Sequence, residues 1–206
     1  MMLSGDPGAL DPRDNDTVER AMRRYLLGFV IPLWTAAGSI DYVLHRRSKI
    51  EENAGVKEAT LHVVGISLSA LPVVAGLFLE VNAGVIALMS AGFATHLGMT
   101  IWDVSYASTR RTITPLEQHV HAALELVPFT ALSMVLMLHR DQALALIGCG
   151  TATPDFRIAS KRNPICSYGI AATIGAFTLF VAIPYAEEFV RCYRFARKRE
   201  RREGGA

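Results

Sequence analysis

The chain has 206 residues, a formal net charge of +2 and a hydrophobic share of 51%, with a mean hydropathy of +0.28. A soluble domain of this size is not usually so apolar. The near-balanced charge, with its one dense basic stretch in a tail and no folded module around it, argues against a nucleic-acid-binding protein. The three cysteines, Cys149, Cys166 and Cys192, lack metal-type spacing.

Residues 1–15 are polar and rich in Pro, Gly and Asp; they read as a disordered N-terminus without a signal peptide. Asp16-Thr17-Val18-Glu19 reads as a capping box that opens a helix. That helix carries the first apolar run, Tyr25 to Ile40, and continues past Asp41, with a bend expected at Pro32. Residues 51–56 make a short turn, and helix 2 begins near Val56, holding the run Ala59 to Leu79 and Pro72. Glu80 to Gly84 is a tight turn with Asn82 as N-cap of helix 3, whose run extends from Val81 to Trp102. Thr114 caps helix 4 with Pro115 at its first position, and the run Val120 to Leu138 contains Pro128. A long loop over 139–164 holds a short apolar piece, Ala143 to Gly148, that reads as re-entrant or interfacial. Helix 5 carries the run Ile165 to Ala186, with Pro184, and leaves into a basic tail at 191–206.

Five runs of about 16 to 22 apolar residues match the roughly 20 needed to cross the hydrocarbon core. The expected fold is all-α: a multi-pass transmembrane helical bundle over residues 16–190. Four core helices carry a site, and a fifth, C-terminal transmembrane helix completes the bundle. Arg46, Arg47, Lys49 and Lys57 lie between runs 1 and 2, Arg110 and Arg111 between runs 3 and 4, and Arg191 to Arg202 after run 5. The turn between runs 2 and 3 has no Lys or Arg. The positive-inside rule then puts the C-terminal tail in the cytoplasm and the N-terminus outside, in a bacterial inner membrane. Arg20, Arg23 and Arg24, together with Arg140, Arg157, Lys161 and Arg162, run against that assignment. Cys149 and Cys166 share the external loop in this topology, where pairing is open to them.

The chemistry sits at one end of the helices. Helix 1 carries Asp41 and His45, helix 2 Glu58 and His62, helix 3 His96 and Asp103, and helix 4 Glu117 and His121 with Glu125 a turn deeper. Spacings of four and seven place each pair on one helical face. Antiparallel packing brings all four pairs to one depth. Ionisable groups inside apolar runs cost about 2.5–3.5 kcal/mol each on the lenient insertion scale, so they need partners. Metal ions satisfy carboxylates and imidazoles together, and helical bundles with dinuclear carboxylate sites project Glu and His inward in this way. The expected ligands are therefore Asp41, His45, Glu58, His62, His96, Asp103, Glu117 and His121, with Glu125 as a further candidate. Each also has a plainer reading. Glu117 fits a helix cap with Thr114, Glu58 suits a solvated first turn, and Asp41 and Asp103 are within reach of Arg46, Arg110 or Arg111. Glu51 and Glu52 read as solvated, His119 points away from the site, and His139 reads as interfacial.

The segments Asp41-Tyr-Val-Leu-His45, Glu58-Ala-Thr-Leu-His62, Trp102-Asp103 and Glu117-Gln-His-Val-His121 resemble those of an uncharacterised bacterial integral-membrane family. In chemistry the set is similar to membrane di-iron oxidases, hydroxylases and desaturases. It departs from their His-rich boxes, because this chain has six histidines and fills in with carboxylates. The function expected is a membrane-embedded oxidoreductase with two iron ions, zinc or manganese being the alternatives. It would act on a lipid or other apolar substrate near the cytoplasmic face, with an electron-donor protein as partner and anionic lipids bound by the basic tail. Two other readings stay open: a zinc-dependent hydrolase of a lipid amide or ester, and a metal-ion or proton transporter. The scarcity of charge in the outer halves of helices 1 to 4 disfavours the transporter.

Overall fold

The computed structural model describes residues 12–203, with side chains from residue 17 onward. Among these residues are six helices and no sheet; the β pairing is one isolated bridge between Leu79 and Ser160. Helix α1 runs unbroken through Pro12–Tyr25, Leu26–Val30 and Ile31–Ser48. Helix α2 is Gly55–Phe78, α3 Ala83–Ser108, α4 Pro115–Leu138 and the short α5 Arg140–Leu146. Helix α6, the fifth span, runs through Ser167–Phe177, Thr178–Ala182 and Ile183–Glu203. All but α5 are long and apolar enough to cross a membrane, so the bundle is the all-α one expected.

Both chain ends are more helical than their sequences suggest. Residues 1–11 of the expected disordered segment lie outside the described residues, but 12–15 are helical. Helix α1 starts at Pro12, a residue well suited to a first turn because its missing N–H is not needed there. Asp16 therefore lies inside the helix and not at its cap. The basic tail extends α6 as helix to Glu203.

The prolines shape the bundle's interior. Proline cannot donate to the carbonyl four residues back, and its ring crowds that carbonyl. Ahead of Pro32 and Pro184 the helices widen into π turns, Leu26–Val30 and Thr178–Ala182, which absorb the crowding. The Phe180 carbonyl, released by Pro184, accepts from Ser39 Oγ at 3.0 Å. The Leu124 carbonyl, released by Pro128, lies 3.3 Å from His96 Nε2.

Helix α1 packs against α4 and α6, α4 against α3, α3 against α2, and α2 against α6. The five spans thus close a ring around a central space. The turns follow the expected chemistry: Asn82 accepts from the Val85 amide to cap α3, and Thr114 and Glu117 form a capping box on α4. At the far end, α5 packs on α3. The loop after α5 crosses the α2–α3 turn, with the Glu80 and Gly84 amides donating to the Ala159 and Asp155 carbonyls. Cys149 and Cys166 are both free and exposed.

The usual arrangement of a soluble core is inverted. Leu71, Ile101, Leu126, Phe129 and Met137 face outward, while Asp41, His45, Glu58, Glu117 and Glu188 are buried. Apolar side chains outside and ionisable ones inside suit a bundle surrounded by hydrocarbon. Helices α2 and α3 approach closely where Gly92 meets Pro72. A Cβ on Gly92 would lie 2.6 Å from Pro72 Cγ, and a proline ring cannot swing aside. Gly92→Ala is expected to destabilise the protein by about 1–3 kcal/mol through overpacking. Thermal unfolding in detergent checks this, and an unchanged midpoint would show that the two helices separate freely.

Candidate metal centre

Seven of the nine residues expected at the site come together, and α6 adds two that the sequence did not reveal. Asp41 and His45 come from the last turns of α1, Glu58 and His62 from the start of α2, and Asp103 from the end of α3. Glu117 and His121 come from the start of α4. From α6, Tyr185 and Glu188 reach the same level, three residues apart and so on one helical face. His45, Glu58 and Glu188 are fully buried, and Asp41 and Glu117 are nearly so.

His45 stands at the middle. Its Nε2 lies 3.4 Å from Glu117, 3.6 Å from Asp41 and 4.0 Å from Glu58, and its Nδ1 lies 3.4 Å from Glu188. His62 packs parallel to His45 with ring centroids 4.5 Å apart. Its Nδ1 is 2.7 Å from Glu188 and its Nε2 3.1 Å from Asp103. His121 Nε2 lies 3.2 Å from Asp41 Oδ1. The Tyr185 hydroxyl lies 2.7 Å from Asp41 Oδ2 and 3.1 Å from the Gly38 carbonyl, which fixes the carboxylate's second oxygen.

Arg111, in the α3–α4 turn, closes the end of the site. It donates to Glu58 at 2.6 Å and to Glu117 at 2.5 and 3.0 Å. Burial works against its charge, but hydrogen bonds to Glu117 and Glu58 outweigh that and raise its pKa further. Glu117 thus serves as both helix cap and site residue; the two roles are not exclusive. Arg46, the other candidate partner for Asp41, pairs instead with Glu187 at 2.9 Å. Glu51 pairs with Arg191, and His119 is exposed.

His96 and Glu125 stand apart from this cluster. His96 has Ser69 Oγ at 2.9 Å from Nδ1 and the Leu124 carbonyl at 3.3 Å from Nε2. Both ring nitrogens are therefore engaged by protein groups, one of them by the carbonyl that Pro128 releases. Glu125 is half-buried a turn deeper than His121. The spacing His96 to Asp103 gives one face but two depths, roughly 10 Å apart along a helix.

The cluster can hold metal. Three ligand trios have their donor atoms within 4.8 Å of one another: Asp41, His45 and His121; His45, His62 and Glu188; and Glu58, His62 and Asp103. The first and third share no residue, and Glu188 lies between them. Asp41 Oδ1, both nitrogens of His45, Asp103 Oδ1, His121 Nδ1 and Glu188 Oε2 are buried without a hydrogen-bond partner. Each such group costs about 1–3 kcal/mol if nothing satisfies it.

Charge points the same way. Five carboxylates and one guanidinium leave four negative charges in a closed space. Protons on the histidines could answer this in part, at the cost of making His45 and His62 stacked cations 4.5 Å apart. At an effective dielectric of about 20 that repulsion is about 4 kcal/mol. Divalent cations held by neutral imidazoles would balance these charges and also satisfy orphaned donor atoms.

Glu188 and Tyr185 are hard to single out from sequence because they sit where run 5 gives way to the basic tail, and acids there read as solvated partners of arginine. Glu187 is such a residue. The available signal is depth: the end of the fifth span must lie level with the other four pairs.

No family model, no curated protein and no solved structure matches this chain. What the centre does is therefore read from its own geometry.

Proposed function

We propose that this protein is a membrane-embedded oxidoreductase with a dinuclear iron centre, acting on a lipid or other apolar substrate. The observation that carries the reading is the pair of separate trios joined by Glu188. Asp41, His45 and His121 make a two-histidine, one-carboxylate set, the donor set associated with non-haem iron oxygenases. Glu58, His62 and Asp103 make a carboxylate-rich partner, as in di-iron bundles. The donors are all nitrogen and oxygen; Cys192, the buried thiol, packs with Ile50 and Ala59 instead. The count exceeds the four ligands of a zinc site.

Bound iron would supply dioxygen reduction. For hydroxylation, one substrate C–H becomes C–OH, the second oxygen atom leaves as water, and a donor protein provides two electrons with two protons. The chain's own residues hold and shield this chemistry. Tyr185 orients Asp41, Arg111 fixes Glu58 and Glu117, and burial keeps bulk water away. The Lys/Arg pattern supports a centre at the cytoplasmic end of a bacterial inner membrane, with the basic end of α6 on anionic lipid.

Elemental analysis of detergent-purified protein, expressed with ample metal, is expected to find two irons per chain. A single zinc would favour the hydrolase reading, and no transition metal at all would sink both.

A further inference from the structure

The centre borders a cavity on one side. Asp41, His62, Asp103 and His121 line a cavity of about 90 Å³, whereas His45, Glu58, Glu117 and Glu188 lie behind them. A second cavity of about 200 Å³ begins where the first ends; Trp34, Ser69 and His96 line both. Its walls are almost wholly apolar, with Leu27, Val73, Phe93, Val127 and Val135 from four helices. It ends at the opposite end of the bundle among Glu19, Arg23, His139 and Lys161. From Asp41 to Arg23 along α1 is about 27 Å at 1.5 Å per residue. The chamber is therefore long and apolar, with the candidate metal ligands at its inner end and polar groups at the other, its mouth.

The mouth carries a cation that lacks an acid. Lys161 donates to the Gly76 and Leu79 carbonyls at 2.9 and 3.2 Å but makes no ion pair among the described residues. An ammonium has three donors, so one is left over. Arg23 is held beside it by the Asn163 carbonyl and Glu19. Glu80, the other nearby acid, accepts from the Arg162 amide and does not line the chamber. At the inner end the described residues include no spare cation, because Arg111 faces away from the chamber and is committed to Glu58 and Glu117.

We propose that the chamber binds one unbranched fatty acid, its carboxylate on Lys161 and Arg23 and its methyl end against Asp41, His62, Asp103 and His121. The charge and shape of the chamber carry this seating whether or not metal is bound. That the methyl end is the part oxidised rests on the proposed function. Trp34, packed edge-on to His96 at 6.3 Å, sets the width at the junction. Arg23 and Lys161, two of the cations that ran against the positive-inside tally, thereby acquire a role.

A fatty acid bearing a photoreactive diazirine at its terminal carbon tests the seating. Irradiated with the purified protein, with and without chelator, it is expected to label Leu61, Ile66, Met99 or Leu124 near the centre. Excess unlabelled fatty acid should compete this away. Ala131→Phe, which fills the chamber wall far from the centre, should abolish labelling while leaving metal content unchanged. Lys161→Met should weaken binding of the acid at least tenfold and leave the methyl ester unaffected, which also shows that the variant folds. Labelling near the mouth, at Leu27, Val135 or Leu138, would overturn the orientation. Absence of competed labelling, or equal binding of acid and ester by the native protein, would overturn the proposal. Native protein that is labelled in this way but holds no transition metal after metal-replete expression would fault the proposed function alone.

Discussion

Glu188→Ala is expected to reduce bound metal from two ions per chain to one or none. The Glu188 carboxylate reaches both stacked imidazoles, at 2.7 Å from His62 and 3.4 Å from His45, and it lies between the two separate trios. Outer partners of metal ligands are typically worth 10- to 100-fold in affinity. A ligand shared by two ions should exceed that, so a loss of at least about 100-fold, about 2.7 kcal/mol, is expected. Elemental analysis reads the stoichiometry. Thermal unfolding reads the linkage: metal at 100 times its dissociation constant stabilises by about 2.7 kcal/mol, or roughly 5–10 °C for a chain of this size. The variant should lose that response. Its neighbour supplies the control. Glu187 meets Tyr42 and Arg46 at the surface, where such pairs contribute about 0–1 kcal/mol. Glu187→Ala should keep its metal; if it loses metal as Glu188→Ala does, the bridging role assigned to Glu188 is wrong.

Replacing Arg111 by Met should destabilise the protein by about 3–5 kcal/mol. That is the usual cost of removing one partner from a buried ion pair and leaving the other charge uncompensated. Here two carboxylates, Glu58 and Glu117, would be left, both almost without solvent access. The sign with pH follows from the groups involved. Arg111 has a raised pKa, so its contribution is present throughout the working range and would fade only as pH rose through that value. In Arg111→Met the deficit should therefore be largest near neutral pH. It should shrink in acid, where carboxylates left without their cation are neutralised. Arg111→Lys should recover only part of the loss, since one ammonium cannot reproduce the two-sided fork. Unfolding midpoints measured across pH check this, and a variant as stable as the native protein at neutral pH would show that the pair is not held as described.

The membrane bundle is legible in the amino-acid sequence alone. Five long apolar runs and well-formed caps at Asn82 and Thr114 are local features, and local sequence encodes them. Most of the centre is legible too. A carboxylate and an imidazole four residues apart share a helical face, and alternating helix direction puts successive pairs at one depth. The same logic fails for His96. Being on the right face does not fix depth, and Pro128 frees a carbonyl that claims one of its nitrogens.

What the sequence determined by itself, then, was that acids and histidines would meet inside a hydrocarbon-facing bundle. The tertiary structure decided which ones meet. Ring closure of α6 against α1 and α2 brings Glu188 between His45 and His62. Its contact with His62 spans 126 positions, and no helical period encodes it. The packing also decided that Arg111 turns inward to two carboxylates while Arg46 turns outward to Glu187. It decided, too, that the centre borders an apolar chamber. The reason is common to all three. Periodicity fixes which side of a helix a residue occupies, whereas neighbours, depth and enclosure depend on how separate helices pack.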